Sequence, residues 1–308
     1  MSQRLLAFFF GPVDARTVAG MRISLGALLL VSHALMLPDL TLLFSDAGPV
    51  TTEVVEGWWK HARWSYLDGR SAPGTILALH LLGLLPIVGM IVGWQSRLMV
   101  FLALVVQVAI HHRAPWAQHG GDRVLRIATL SLLFVPCGAA WSVDAWLKAR
   151  RTGVVASALV PMLSHRLIQA QWMIIYGATG LEKLRGASWH SGDALYYALS
   201  LRTFQRFPAL TDTLLALLPV QVCLKLLTWL TLGWELLFPL MVLWRPTRTL
   251  ALWVGLLIHV GIALTMMVGS FSYAMVWGYL AFMGPGWAAV LATRLRGARS
   301  RGAGAPSG

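Results

Sequence analysis

Charge is what this sequence most lacks. Only 12% of its 308 residues are charged and 57% are hydrophobic, whereas a soluble domain carries roughly 25% charge. That shortage excludes an ordinary soluble enzyme. Acidic residues are scarcest, 12 against 25 Lys and Arg. Cysteine is nearly absent too: Cys137 and Cys223 stand alone in or beside apolar runs, with no C-x-x-C. A disulfide framework is thereby excluded, and both read as free thiols in an apolar setting. The first apolar run is followed by Gly11-Pro12-Val13-Asp14 instead of a small-residue cleavage site, so no removable signal peptide is expected.

What is present is apolar and aromatic. Fifteen Trp, eleven Phe and six Tyr exclude disorder, and mean hydropathy of +0.67 points to lipid as the burying phase. The formal charge of +13 does not indicate nucleic acid, because the arginines lie between apolar runs. The expected fold is an all-α polytopic membrane bundle. A span needs about 20 apolar residues, and eight runs qualify or come close: 18–37, 75–94, 98–112, 124–138, 160–182, 213–243, 249–268 and 272–292. The third and fourth are short, and the sixth is long enough to begin along the interface. Alternating these spans from a cytoplasmic N-terminus puts 14 Lys and Arg in or near the inner segments and ten in or near the outer ones, with two acids on the inner side and nine on the outer. The positive-inside rule then favours both termini in the cytoplasm and a multi-pass protein of the cell membrane, as in a bacterial inner membrane. One membrane domain covers 1–293, with large external loops at 38–74 and 183–212. Residues 294–308 form a basic tail that anchors topology.

Ionisable groups at membrane depth are expensive, so each is a functional candidate. They are His33, His80, Lys183 with Glu182, Lys225, Glu235 and His259. His33 and His80 read as neutral side chains bonded to neighbouring helices. His111, His112, His119 and Asp122 share a loop, but their spacing matches no metal template and no metal is expected. Lys183 ends a run from Gln169 to Leu184 at an apolar edge, where desolvation favours the neutral amine and suits a general base; the alternative is a snorkelling lysine paired with Glu182. Glu235 and His259 are central in consecutive helices; the carboxylate must either be protonated or pair, with either His259 or Lys183.

Gln171 through Leu184, followed by Trp189-His190-Ser191-Gly192, closely resembles a segment of the vitamin K-dependent γ-glutamyl carboxylases. So do Trp141-Ser142-Val143-Asp144, His259 and Gly269-Ser270-Phe271-Ser272-Tyr273, in the same order and spacing over most of 15–285. The wider group is the HTTM family, named for a horizontally transferred transmembrane domain. The resemblance implies that Lys183 holds the place of the base that deprotonates a reduced quinone of vitamin K or menaquinone type. It also implies that Gln171, Tyr176, Trp189, Phe271 and Tyr273 line the quinol site, with Glu235 and His259 shaping the pocket. Two departures argue against carboxylation itself. Gly138-Ala139-Ala140 stand where the carboxylases have Asn-His-Tyr, and the large external domain that captures protein substrates does not follow the last span. Two readings therefore remain: a quinol-dependent, carboxylase-like or lyase-like membrane enzyme, and a non-catalytic maturation or binding factor for a secreted peptide or lipid. A transporter is a third. Membrane lipid, a quinol and a secreted peptide are the expected partners, and nucleic acid is not.

Overall fold

A computed structural model describes residues 8–59, 63–153, 159–284, 286–291 and 293–294. Arg4, Lys60 and the tail from 295 onward, all used in the charge argument, lie outside the described residues. The chain is mostly helical, 77%, and falls into two compact units: Met1–Gln118 with Leu125–Leu167 and Met283–Gly308, and His119–Val124 with Ile168–Phe282.

The first unit opens with strand β1 (Pro12–Asp14), which pairs antiparallel with β2 (Leu159–Pro161). Asp14 then starts helix α1 (Ala15–Leu35) by accepting the amide of Arg16 at 2.8 Å, since the first N–H groups of a helix lack partners within it. Two short helices follow, α2 (Leu40–Phe44) and α3 (Thr52–Trp58). Helix α4 (Pro73–Val92) starts on a proline, whose missing N–H costs nothing there, and stops at left-handed Gly93. Helix α5 (Ser96–Arg113), helix α6 (Gly120–Leu133), which continues from the other unit, and helix α7 (Val143–Thr152) follow. The expected external loop 38–74 is folded: Leu40, Phe44 and Leu67 pack on Ile76, Val106 and Ile110. The buried guanidinium of Arg113 bonds Asp46 at 2.7 Å over this cluster. Burial pushes the Tyr66 phenol in the same region up to about 12.

The second unit contains α8 (Leu163–Lys183) from Ile168 onward, and the short helices α9 (Ala187–Ser191), α10 (Ala194–Ser200) and α11 (Pro208–Leu215). Helices α12 (Leu218–Leu243), α13 (Arg245–Thr265) and α14 (Phe271–Trp277) follow, the last running into a 3₁₀ turn, Gly278–Ala281. Gly278 sits where any Cβ would overlap the indole of Trp172. That close approach lets Trp172 bury completely and donate its Nε1 to the Met275 carbonyl at 2.9 Å.

Each of the eight apolar runs is helical at least in part, but among the described residues four segments are long and apolar enough to cross a membrane: Ala15–Phe44, Pro73–Val92, Leu218–Leu243 and Arg245–Thr265. Helix α6 has only 14 residues and α14 only seven. Helix α8 spans 21 residues but holds His165, Arg166, Gln169 and Gln171 in its first half and Glu182 and Lys183 at its end. The first residues of the long sixth run belong to a separate short helix, α11, before α12 starts at Leu218.

The first unit turns on a buried cation. Arg22 is fully buried on α1 and donates to the carbonyls of Trp141 at 2.6 Å and Cys137 at 2.9 Å. The guanidinium fork thus pins the loop that holds Trp141-Ser142-Val143-Asp144. The motif finishes the junction: Ser142 caps α7 by accepting the amide of Ala145, and both oxygens of Asp144 accept amides that start α5, from Gln95 and Ser96 at 2.7 Å each. Substituting Arg22→Leu strands these carbonyls and is expected to cost about 3 kcal/mol. Arg16→Ala, which loses only a part-exposed pair with Asp14, should cost less than about 1 kcal/mol. Unfolding of both variants in detergent checks this, and equal midpoints would contradict it.

Candidate functional site

Helix α8 presents Tyr176, Thr179 and Lys183 at spacings of three and four, which puts them on one face. Helix α12 brings Trp234, Glu235 and Phe238, and α13 brings His259. Backbones approach closely where α8 meets α12, because a Cβ on Gly180 would stand 3.1 Å from the Leu236 backbone nitrogen. That crossing places Lys183 Nζ 2.5 Å from Glu235 Oε1, with the lysine about a quarter exposed and the glutamate nearly buried. Thr179 Oγ1 lies 3.3 Å from the other carboxylate oxygen. The Trp189 ring, from α9, stands 4.7 Å from Nζ and gives the ammonium an aromatic face.

Beside the ion pair runs a buried polar chain. Tyr176 Oη is 2.8 Å from His259 Nε2 and 2.6 Å from Tyr279 Oη. Trp234 and Phe238 pack on the Tyr176 ring, with centroids 4.8 and 4.3 Å away, and exclude water from the hydroxyl. His259 Nδ1 is buried with no partner among the described residues. The Phe271 ring lies 5.7 Å from the imidazole. A group carrying a hydroxyl on a flat ring would satisfy both features, Nδ1 by a hydrogen bond and Phe271 by ring contact.

The HTTM domain matches residues 10–287, most of the chain. The chain belongs to the HTTM domain family. No curated protein and no solved structure matches it.

Within this HTTM domain the structure brings together Lys183, Glu235 and Trp189 and, along the hydroxyl chain, Tyr176, His259 and Phe271. Gln171 and Tyr273 do not join: Gln171 is half-buried more than a turn before Tyr176, and Tyr273 is exposed. Of the pairings open to Glu235 the structure takes Lys183, and His259 takes Tyr176. Glu182 turns outward and binds Arg185 at 2.9 Å, since adjacent helical residues point about 100° apart. Lys225 lies 3.5 Å from Asp193, whose carboxyl is held below its usual range first by a hydrogen bond from Ser191.

His33 and His80 belong to the first unit, where His80 Nε2 bonds the His33 carbonyl at 3.0 Å. His112 contacts the Trp64 backbone, and His119 approaches Asp122 at 3.5 Å. Among the described residues no group of three or more His, Cys, Asp or Glu is placed to hold a metal ion. Cys137 is buried and Cys223 exposed, both free.

Reading the sequence missed Thr179, Trp234, Phe238 and Tyr279. Thr179 was available from spacing, midway between Tyr176 and Lys183 on one face. Tyr279 carried a weaker signal, a phenol in an apolar run that needs a partner for its hydroxyl.

The hydroxyl chain makes a graded prediction. Tyr176→Phe removes the central link and leaves His259 Nε2 and Tyr279 Oη both without a bond, costing about 2 kcal/mol or more. Tyr279→Phe removes only an end and should cost about 1 kcal/mol. Thermal unfolding of the two variants measures the order, and the reverse order would remove Tyr176 from the centre.

Proposed function

We propose that this protein is a quinol-oxidising membrane enzyme in which Lys183 acts as the base. The observation that carries the reading is the Lys183–Glu235 contact at 2.5 Å beside Trp189, set next to the buried Tyr176–His259 bond. The resemblance to the carboxylases adds that a lysine in this place meets a quinol. Several finer points belong to the same proposal: about eight spans, both termini in the cytoplasm, a multi-pass bacterial cell membrane and membrane lipid as surroundings.

A reduced quinone of the vitamin K or menaquinone type, with dioxygen as electron acceptor, would supply the redox chemistry; the chain supplies proton handling. Lys183 as an ion pair is protonated and cannot accept another proton. Glu235 resolves this. Moving one proton from Nζ to Oε1 converts the pair into a neutral amine and a carboxylic acid, neither of them charged. Thr179 Oγ1 donates to Oε2 while the carboxylate is charged. The free amine then accepts a hydroxyl proton at Nζ. His259 holds the far side of the ring through Nδ1, with Tyr176 fixing the imidazole through Nε2. Phe271 and Trp189 provide apolar faces. Carboxylation of peptide glutamate is no part of the proposal, because Ala139 stands where the carboxylases have a histidine.

A second reading has its own observation. Glu235 already neutralises Lys183 without any ligand, which suits a non-catalytic maturation or binding factor for a secreted peptide or lipid whose ion pair simply holds two helices together.

Lys183→Arg separates the two. Arginine keeps the charge and the pair with Glu235 but cannot release its proton. Purified protein given reduced menaquinone or vitamin K under oxygen should form oxidised product, and Lys183→Arg should lose about 100-fold or more in rate with an unchanged melting temperature. An Arg variant as active as the parent refutes the base. Lys183→Ala is the poorer probe, because it also leaves Glu235 buried and alone.

A further inference from the structure

We propose that the first unit carries a site for an anionic phospholipid headgroup at the junction of α5 and α7. The site belongs to residues remote in sequence from Lys183, and the proposal does not depend on quinol chemistry.

The junction forms an open cavity of about 450 Å³ whose polar lining is Ser96, Arg97, Asp144 and Lys148, with Val135 and Leu159 among its apolar walls. The charges in it are not equal in availability. Asp144 spends both oxygens on the amides of Gln95 and Ser96, so its charge is committed to the start of α5. Arg97 and Lys148 are exposed, and neither is in an ion pair among the described residues. The cavity therefore offers two uncommitted cations beside apolar walls, the chemistry of a phosphate attached to acyl chains.

Its depth in the membrane is indicated separately. Trp94, Trp141 and Trp146 are all markedly exposed, and the junction ties their segments together: the Asp144 amide donates to the Gly93 carbonyl at 3.0 Å, and Arg22 holds the Trp141 carbonyl. Exposed tryptophans gathered at one level mark the headgroup region of a bilayer. Helix α7 fits that level, since it buries none of its residues and combines Trp146 and Leu147 with Lys148, Arg150 and Arg151. Arg150 lies over the Trp146 ring at 4.2 Å, a cation held flat on an interfacial aromatic. The nearby Asp14 charge is cancelled by Arg16, so positive charge dominates this end of the unit.

The test uses the full-length protein in neutral phosphatidylcholine–detergent micelles, titrated with dioleoylphosphatidylglycerol while the melting temperature is followed. The wild type should rise by about 4 °C, as expected of a ligand that binds only the folded state. The Arg97→Gln/Lys148→Gln pair should lose at least half of that shift. Ala139→Phe, which places a ring in the cavity and leaves every charge in place, should lose it as well. Arg70→Gln/Arg123→Gln, which removes two exposed cations elsewhere, should keep it. A full shift in the first double variant, or in Ala139→Phe, overturns the site. Should Ala139→Phe fail to fold, the Arg97/Lys148 pair decides alone. A shift reproduced by millimolar inorganic phosphate without lipid also overturns the proposal, because the acyl chains would then contribute nothing.

Discussion

A lysine and a glutamate that would each be costly in hydrocarbon meet at 2.5 Å, Lys183 Nζ on Glu235 Oε1, and much of the second unit is arranged around that contact. A single charge at the centre of a membrane helix costs about 3 kcal/mol. Joined, the two set the register of α8 against α12: the pair can close only if Lys183 and Glu235 arrive at one level, which the close approach at Gly180 permits. Thr179 and Trp189 then fill the remaining hydrogen-bonding and cation-binding positions around the pair.

The buried Tyr176–His259–Tyr279 chain extends the same logic inward. Three polar side chains from α8, α13 and the 3₁₀ turn satisfy one another where water is excluded, under Trp234 and Phe238. The chain ends with His259 Nδ1 unpartnered among the described residues. An orphaned donor or acceptor at the end of such a network costs more than the bond it lacks. In the first unit Arg22 plays the corresponding role, with carbonyl oxygens in place of a carboxylate.

Much of this was legible in the residues. Helical apolar runs at about 20 residues forecast α1, α4, α12 and α13. Lys183, Glu235 and His259 stood out because charge and imidazole are rare in such company. Other features depend on contacts distant in sequence. Glu235 had two equally plausible partners until the α8–α12 crossing chose Lys183. Neighbouring Glu182 looked like the natural mate of Lys183, yet one residue along a helix is a change of face. Tyr279 joins Tyr176 across 103 positions, and hydropathy registers it only as part of an apolar run. Trp141-Ser142-Val143-Asp144 was recognisable as a motif, but its work of capping α7 and α5 together and meeting Arg22 required the fold.

The claim that the ion pair organises the site is tested most directly by a double-mutant cycle on unfolding in detergent with Lys183→Met, Glu235→Met and both together. Each single variant leaves one charge without its partner, the nearly buried glutamate or the part-exposed lysine, and should lose about 2–3 kcal/mol, while the double variant should lose no more than either single one, a coupling of at least about 2 kcal/mol. Losses that simply add would mean that the two groups do not sense each other, and the account of this site would fail.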